Sequence, residues 1–147
     1  MRLRLATAAD VGALTSLEVA CFARDAWSER LVVAELAGML GTRYVVLAER
    51  DGVPCGYASL MFTGDVADVH RVAVDPGQRR QGIGRRLTEA LLGHAVSTGC
   101  ERVLLEVAAA NIAALELYRS LGFVDLARRD GYYGTGRDAL VLQRSLP

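Results

Sequence analysis

The order strand, helix, strand in the second half of the chain is the feature that most constrains the fold. A β-rich run, "ADVHRVAV", occupies residues 67–74 and ends at Asp75-Pro76. Apolar residues then recur at helical spacing over residues 83–97, and Arg102–Val107 is another β-rich run. Two strands joined through a helix in this way pair in parallel, with a right-handed crossover. The sequence therefore predicts an α/β sheet built around one parallel pair of strands.

The remaining patterns predict further elements around this unit and no boundary between domains. Asp51-Gly52 lies between two β-rich runs and indicates a hairpin, and Thr7, Ser28 and Asn111 are typical helix N-caps. The predicted strands are residues 2–6, 44–49, 53–62, 67–74, 102–107, 124–128 and 139–146, and the predicted helices end near Phe22, Met39, Ser97 and Leu121. We therefore expect a single mixed α/β domain spanning residues 1–147.

Composition excludes several classes of protein. The chain carries 17 basic and 17 acidic residues, so a broadly basic surface that coats nucleic acid is not expected. The three cysteines (Cys21, Cys55 and Cys100) form no CxxC pair and the two histidines have no metal-ligand spacing, so we expect no metal site and buried, reduced thiols. The first residues form no apolar signal region, and no apolar run approaches about 20 residues, which predicts a cytoplasmic protein that does not span a membrane.

Residues 79–86, "RRQGIGRR", place four arginines around two glycines at the predicted start of a helix. Three interpretations compete: a nucleic-acid patch, a solvated turn, or a cradle for a phosphorylated cofactor. Free amides and the helix dipole favour an anion at this position. Gly82 and Gly84 allow close approach to the backbone, and guanidinium groups add charge-assisted bonds to phosphate. The chemistry favours a pyrophosphate cradle, although Arg79-x-x-Gly82-x-Gly84 alone does not exclude a charged turn.

Two longer stretches resemble the Gcn5-related N-acetyltransferase (GNAT) family. "VAVDPGQRRQGIGRRLTEALL" is similar to that family's acetyl-CoA-binding signature, Q/R-x-x-G-x-G/A after a strand that ends in V-x-P or V-D-P. "LLEVAAANIAALELYRSLGF" is similar to its L-E-V, N-x-x-A and L-Y-x-x-x-G-F segment, and "GRDALVL" fits its final strand. The resemblance covers most of the chain. It implies a mostly antiparallel mixed sheet with helices on both faces, whose central parallel pair is splayed for acetyl-CoA.

Within this family the chain looks like the ribosomal-protein alanine N-acetyltransferases, the RimI type. The features that carry this likeness are "AWSE" at residues 26–29, "GYY" at 131–133 and "RDA" at 137–139. The chain departs from the pattern at Ala26, where proline is usual, at Ala108 and Ala110 beside the asparagine, and at Gly134 after the tyrosine pair. Because Ala108 and Ala110 lie near the acceptor side, acceptor identity depends most on these departures.

Two residues are candidates for proton transfer during acetylation. Glu106 is a lone acid in an apolar strand, on the face opposite to Leu105 and Val107, where partial burial would raise its pKa. The resemblance implies that Glu106 is the general base, acting through water, and the alternative is a Glu on an exposed strand face. Tyr118 shares a helical stripe with Leu117, which also suits a core tyrosine. The resemblance implies that it is the general acid near the CoA sulfur, because a phenol donates a proton and is neutral at pH 7.

The resemblance also implies which residues contact acetyl-CoA and the acceptor. Backbone groups of Val72, Ala73 and Val74 are expected to bind the pantetheine arm as an added strand would, and Asn111 to bond CoA in addition to capping a helix. The pyrophosphate is expected at Arg79, Arg80, Gln81, Gly82, Ile83, Gly84 and Arg85. Trp27, Tyr132 and Tyr133 are expected to contact the N-terminus of a small-subunit ribosomal protein. The alternatives are a GNAT enzyme that acetylates a small amine or a lysine, and a CoA-binding module without catalysis.

Overall fold

The structure is a computed structural model that describes residues 1–147. Its strands are β1 (Arg2–Leu5), β2 (Arg43–Arg50), β3 (Val53–Thr63), β4 (Val66–Val74), β5 (Arg102–Ala108), β6 (Val124–Arg129) and β7 (Ala139–Ser145). Its helices are α1 (Val11–Phe22), α2 (Glu29–Ala37), α3 (Ile83–Ser97) and α4 (Ile112–Ser120). The predicted order of elements is confirmed. Helix α2 ends before the predicted Met39, because the chain tightens into a 3-10 turn at Gly38–Leu40.

The predicted caps form as side-chain hydrogen bonds. The amide of Thr7 donates to Asp10 Oδ2 at 2.7 Å, which completes a capping box at the 3-10 turn that precedes α1. Ser28 Oγ accepts from the amide of Leu31 at 3.2 Å and fixes the start of α2. Local sequence therefore determines where these helices begin. None of the helices is long and apolar enough to cross a membrane.

The seven strands form one sheet in the order β1-β2-β3-β4-β5-β7-β6, in which only β4 and β5 are parallel neighbours. The parallel pairing joins Val66–Val69 to Arg102–Leu105 and then stops. Residues 70–74 of β4 keep their pairing with β3 but have no strand partner on the β5 side. The expected splay of a central parallel pair is therefore confirmed, and it leaves an open strand edge in the middle of the sheet.

A β-bulge lies in β4 at the point where this strand separates from β5. Ser59 of β3 pairs with Arg71 and Leu60 pairs with Val69, so His70 is an extra residue in β4. Because of the extra residue, His70 and Arg71 both face the side of the sheet covered by α1 and α2. The contacts show this directly: His70 bonds Glu35 of α2, and Arg71 bonds Glu18 of α1.

Helices cover both faces of the sheet and bury two apolar clusters. The larger cluster lies under α3 and α4 and includes Leu87, Leu105 and Tyr118. The smaller cluster lies under α1 and α2 and includes Leu14, Val32, Leu36 and Tyr57. Cys55 and Cys100 are buried as expected, whereas Cys21 is only half-buried because it lies at the edge of the smaller cluster, where its thiol donates to the carbonyl of Val74 at 3.2 Å.

Candidate active site

The loop between β4 and α3 presents a continuous run of free backbone amides. None of the amides of residues 79–85 donates a hydrogen bond within the chain. Gly82 precedes α3 with φ 77°, a conformation that favours glycine, and no side chain caps the helix. Free amides at a helix N-terminus and the helix dipole together form an anion site. The loop therefore fits a pyrophosphate group.

Side chains of the same loop hold its shape. Arg79 Nε donates to the carbonyl of Val74 at 3.2 Å, and Arg50 contacts the side chain of Gln81. Arg85 Nη1 donates to Ser120 Oγ at 3.0 Å and so joins the start of α3 to the end of α4. These side chains support the loop, while Arg80 and Arg86 are exposed and free to add positive charge beside it.

The loop is continuous with the gap between β4 and β5. Val72 and Val74 pack on the larger apolar cluster and Ala73 belongs to the smaller one, so their side chains are anchored while the β5-facing edge stays open. A Cβ atom on Gly84 would lie 3.4 Å from Leu117 Cδ2 and 3.6 Å from Val74 Cγ2. The end of β4, the start of α3 and helix α4 therefore meet at one point. An extended arm that leaves the loop has a strand edge to follow.

Glu106 lies on β5 in the row directly after the last parallel pair. It faces away from the larger cluster, as predicted, but the partial burial expected for it is wrong, because the side chain is exposed and retains 31% of its accessible area. Arg129 Nη1 donates to Glu106 Oε1 at 2.5 Å. Hydrogen bonding to Glu106 raises the pKa of the Tyr132 phenol. Glu106 is thus an accessible carboxylate within reach of two polar side chains.

Tyr118 is buried on the other side of the gap. Its ring is 8% exposed and packs edge-on against Phe123, with 5.9 Å between the ring centroids. Burial, and then the proximity of Tyr133, raise the pKa of Tyr118 to about 12. Its hydroxyl has no partner in the chain, yet no buried side-chain oxygen or nitrogen lacks one, so the hydroxyl reaches solvent. The phenol is therefore a protonated donor at neutral pH.

Asn111 caps α4. Its Oδ1 accepts from the amide of Ala114 at 3.2 Å, which confirms the predicted N-cap. This bond leaves the side-chain NH₂ group available to a ligand. The expected contact with CoA stays a prediction.

The two segments predicted to contact the acceptor lie together although they are more than 100 residues apart. Arg137 Nη2 bonds Asp25 Oδ2 at 2.6 Å and so joins the "GYY" loop to the turn before Trp27. Tyr132 and Tyr133 pack edge-on, with ring centroids 5.0 Å apart. Both tyrosines are close enough to Glu106 for its charge to raise their pKa, although burial is the larger cause for Tyr133.

Sequence analysis did not identify a buried ion pair beneath the Trp27 segment. Glu18 is completely buried and accepts from Arg71 Nη2 at 3.0 Å, from Tyr57 OH at 2.5 Å and from the amide of Trp27 at 2.7 Å. The Arg71 guanidinium lies 4.0 Å from the centroid of the Phe22 ring. Glu18 and Arg71 therefore hold Trp27 against β4. No sequence signal marked Glu18, which lies among polar and apolar residues of an ordinary helix.

A second buried carboxylate was also not identified. Glu35 accepts from Arg43 Nε at 2.9 Å and from Ser59 Oγ, and its Oε2 lies 2.7 Å from His70 Nδ1. Burial would raise the pKa of Glu35, but the hydrogen bonds from His70, Ser59 and Arg43 outweigh burial and lower it. No group of three or more His, Cys, Asp or Glu side chains in the structure is placed to hold a metal ion.

Replacing Arg71 with Met is expected to lower the free energy of unfolding by about 3–5 kcal/mol, because it leaves the buried Glu18 charge without its partner. The measurement is urea denaturation at neutral pH. The matched control is Arg119→Met, which removes an exposed pair with Asp125 and is expected to change stability very little. Equal losses in the two variants would contradict the assigned importance of the Arg71–Glu18 pair.

Comparison with known proteins agrees with this architecture. The model of the acetyltransferase (GNAT) family matches residues 12–123. The [ribosomal protein bS18]-alanine N-acetyltransferase of Escherichia coli K12 is 38% identical over 120 residues, which cover 79% of this chain and 78% of that protein.

Two solved structures extend the comparison. The crystal structure of the ribosomal-protein-S18-alanine N-acetyltransferase from Escherichia coli superposes with a TM-score of 0.89 and 28% identity, covering 98% of this chain and 92% of that chain. The structure of yncA from Salmonella typhimurium with its cofactor acetyl-CoA gives a TM-score of 0.85 and 26% identity, covering 100% of this chain and 94% of that chain. The splayed parallel pair, the amide-lined loop and these similarities lead to one conclusion: the chain belongs to the GNAT family of acetyltransferases, in the group that contains the ribosomal-protein alanine N-acetyltransferases.

Proposed function

We propose that this acetyltransferase moves the acetyl group of acetyl-CoA to the N-terminal α-amine, preferably of alanine, of a small-subunit ribosomal protein in the cytoplasm. The observation that carries the proposal is the position of Glu106. It lies where β4 and β5 separate, with the amide loop on one side and the Trp27, Tyr132 and Tyr133 segments on the other. The E. coli relative named for alanine acetylation of ribosomal protein bS18 supports the choice of acceptor.

Acetyl-CoA would bind along the amide loop and the open strand edge. The free amides of residues 79–85 would hold the pyrophosphate, with the charge of Arg80 beside them. The pantetheine arm would then follow Val72, Ala73 and Val74, whose β5-facing groups have no strand partner. The side-chain NH₂ group of Asn111 would add one bond to the same arm. This route directs the thioester to the gap between Glu106 and Tyr118.

Acetyl transfer to an amine requires three operations, and the site offers a group for each. The amine must lose a proton, for which Glu106 is an accessible carboxylate that acts directly or through water. A backbone N–H at the end of β4 would polarise the thioester carbonyl. The departing thiolate must gain a proton, and the protonated phenol of Tyr118 supplies it.

The chemistry of the acceptor favours an α-amine over a lysine side chain. An N-terminal amine has a pKa of about 7.7–8 and a lysine amine about 10.4, so far less free amine is present for lysine at neutral pH. A carboxylate base is therefore adequate for the first and poor for the second. Tyr132 and Tyr133 offer rigid, amphipathic surfaces against which an extended peptide can pack.

Competition among peptides that differ only in their first residue tests the acceptor. We expect alanine to be preferred, with serine and glycine tolerated because Ala108 and Ala110 leave room beside Asn111. Initial rates of acetyl-CoA consumption give the measurement, with mass spectrometry to locate the acetyl group. A peptide with a blocked N-terminus and one internal lysine is the control. Preference for that peptide, or equal rates for all first residues, would overturn the α-amine assignment.

A deletion strain extends this test to the cell. We expect ribosomal proteins from the strain to contain one small-subunit protein whose N-terminal residue has lost its acetyl group, detected as a mass 42 Da lower, the ordinary mass of an acetyl substitution. Restoring the gene is expected to restore the mass. An unchanged set of masses would show that the acceptor is not a ribosomal protein.

A further inference from the structure

We propose that His70 is a second proton acceptor for the acceptor amine, working beside Glu106; this inference rests on the proposed acetylation of an α-amine. The reaction joins an ammonium group, R–NH₃⁺, to an acetyl thioester and yields an amide, a thiol and one H⁺. The nitrogen loses two protons in all. One proton balances the one that Tyr118 gives to the thiolate, and the other must leave to solvent. Glu106 and Tyr118 alone provide no separate route for that second proton.

The β-bulge places His70 next to Glu106. Val69 and Leu105 form the last parallel pair and both pack toward the larger apolar cluster. The residues that follow them, His70 and Glu106, therefore lie side by side on adjacent strands and face the opposite side of the sheet. His70 is also close to Trp27, with 6.3 Å between their ring centroids. The imidazole is thus at the junction of the base and the predicted acceptor segment.

The Glu35 contact sets the state of the imidazole. Nδ1 of His70 lies 2.7 Å from Glu35 Oε2, and an ionised carboxylate only accepts hydrogen bonds, so Nδ1 carries the proton. Nε2 then has a free lone pair. It makes no hydrogen bond in the chain, and since no buried side-chain nitrogen lacks a partner, Nε2 is open to solvent. A carboxylate that orients a histidine while the other nitrogen takes a proton is a general arrangement in acid–base catalysis.

The charges around His70 favour the imidazolium ion that forms when the proton arrives. The charged and titratable groups that face it from the packed elements are Glu18, Glu35, Arg43, Tyr57, Asp68, Arg71 and Glu106. Four of these groups are acidic and two are arginines, each of which already bonds a buried carboxylate. The arrangement therefore has an excess of negative charge into which a positive imidazolium fits.

The proposed step moves one proton at a time. The lone pair of His70 Nε2 takes a proton from the entering ammonium, directly or through water, and the electrons of that N–H bond remain on nitrogen as its lone pair. The neutral amine attacks the thioester carbonyl carbon, and Glu106 takes the second proton as the C–N bond forms. Tyr118 gives its proton to the departing sulfur. His70 then releases its proton through Nε2 to solvent.

The test compares wild type and His70→Gln with an alanine-starting peptide at pH 7.0 and pH 9.0. At pH 7.0 most of the α-amine is protonated, and at pH 9.0 most of it is neutral, given a pKa of about 7.7–8. We expect kcat/KM of His70→Gln to be roughly tenfold or more below wild type at pH 7.0. At pH 9.0 the difference is expected to shrink to less than about threefold, because the amine no longer needs this base.

Controls separate this role from a structural one. Gln retains a hydrogen bond to Glu35, and thermal melting checks that the variant folds. His94→Gln changes the other histidine, which stacks on Tyr44 in the larger core region, and is expected to show no pH-dependent loss. Equal losses of His70→Gln at both pH values, or no loss at pH 7.0, would overturn the proposal. A wild type that acetylates only lysine overturns the proposed function instead, and His70→Gln is then compared at pH 9.0 and 11.0 on the lysine peptide, with the same two overturning outcomes.

Discussion

Replacing Glu106 with Gln is expected to lower kcat by roughly 10²–10⁴-fold, the range by which general acid–base groups contribute to enzymatic rates. Gln is almost isosteric with Glu and cannot take a proton at neutral pH. The affinity for acetyl-CoA is expected to change little, because the amides that would hold the pyrophosphate lie in residues 79–85, at the far end of the β4–β5 gap. Steady-state kinetics with an alanine-starting peptide, and calorimetry with CoA, provide the two measurements.

Glu116→Gln is the matched control for this substitution. Glu116 is an exposed glutamate on α4 and belongs to neither the gap nor the acceptor segments. The same chemical change there is expected to leave kcat within about twofold of wild type, as for most surface substitutions. A loss below about threefold in Glu106→Gln at neutral pH would remove the general-base assignment.

The contact between Glu106 and Arg129 is compatible with a role in proton transfer. Both side chains are exposed, with 31% and 51% of their areas accessible. Exposed ion pairs contribute little to stability, typically about 0–1 kcal/mol, so an entering ammonium group can replace the guanidinium without a large penalty. Arg129 also lies 4.3 Å from the centroid of the Tyr132 ring, a contact that keeps it nearby when it moves.

The fold followed from local signals in the sequence. The Asp51-Gly52 pair adopts positive φ at both residues, 54° and 76°, which is the geometry that a tight hairpin needs. Helix α3 has the predicted limits, since apolar periodicity defines its body and Gly99 follows it with φ 82°. The parallel pair then followed from chain order alone. These features depend on neighbours in sequence, which is why they were predictable.

The bulge in β4 was not predictable, and most of the missed site residues depend on it. Strict alternation along "ADVHRVAV" places His70 and Arg71 on opposite faces of the sheet. The extra residue opposite β3 instead turns both of them toward α1 and α2. Their partners, Glu18 and Glu35, come from helices more than 30 residues earlier in the chain. No local pattern contains that pairing.

The exposure of Glu106 has a related cause. The helices α1 and α2 pack mainly on β2, β3 and β4. The same face of β5 and β7 is therefore left without a covering helix, and only the Tyr132–Tyr133 loop approaches it. Sequence alternation correctly placed Glu106 on this face but gave no information about what covers it. The uncovered area is the space that a peptide acceptor needs.

Replacing Gly84 with Asp is expected to weaken the binding of acetyl-CoA by at least about 100-fold, or roughly 2.7 kcal/mol. A side chain at this position points toward Leu117 and Val74, where the loop meets the β4–β5 gap. The carboxylate would lie in the first turn of α3, where it interacts favourably with the helix dipole and with the free amides. It would therefore compete with the pyrophosphate for the same amides and repel its charge, while the protein stays folded.

Gly93→Asp is the control, because it adds the same group to the exposed face of the same helix, where a Cβ atom has no neighbour within 4 Å. Calorimetric titration with CoA is expected to give wild-type affinity for Gly93→Asp and very weak binding for Gly84→Asp. Thermal melting of both variants checks folding, since aspartate in a helix interior costs up to about 0.7 kcal/mol relative to alanine. Unchanged CoA affinity in a folded Gly84→Asp protein would place the pyrophosphate elsewhere. Binding lost equally in both variants would attribute the effect to the helix and not to the amide loop.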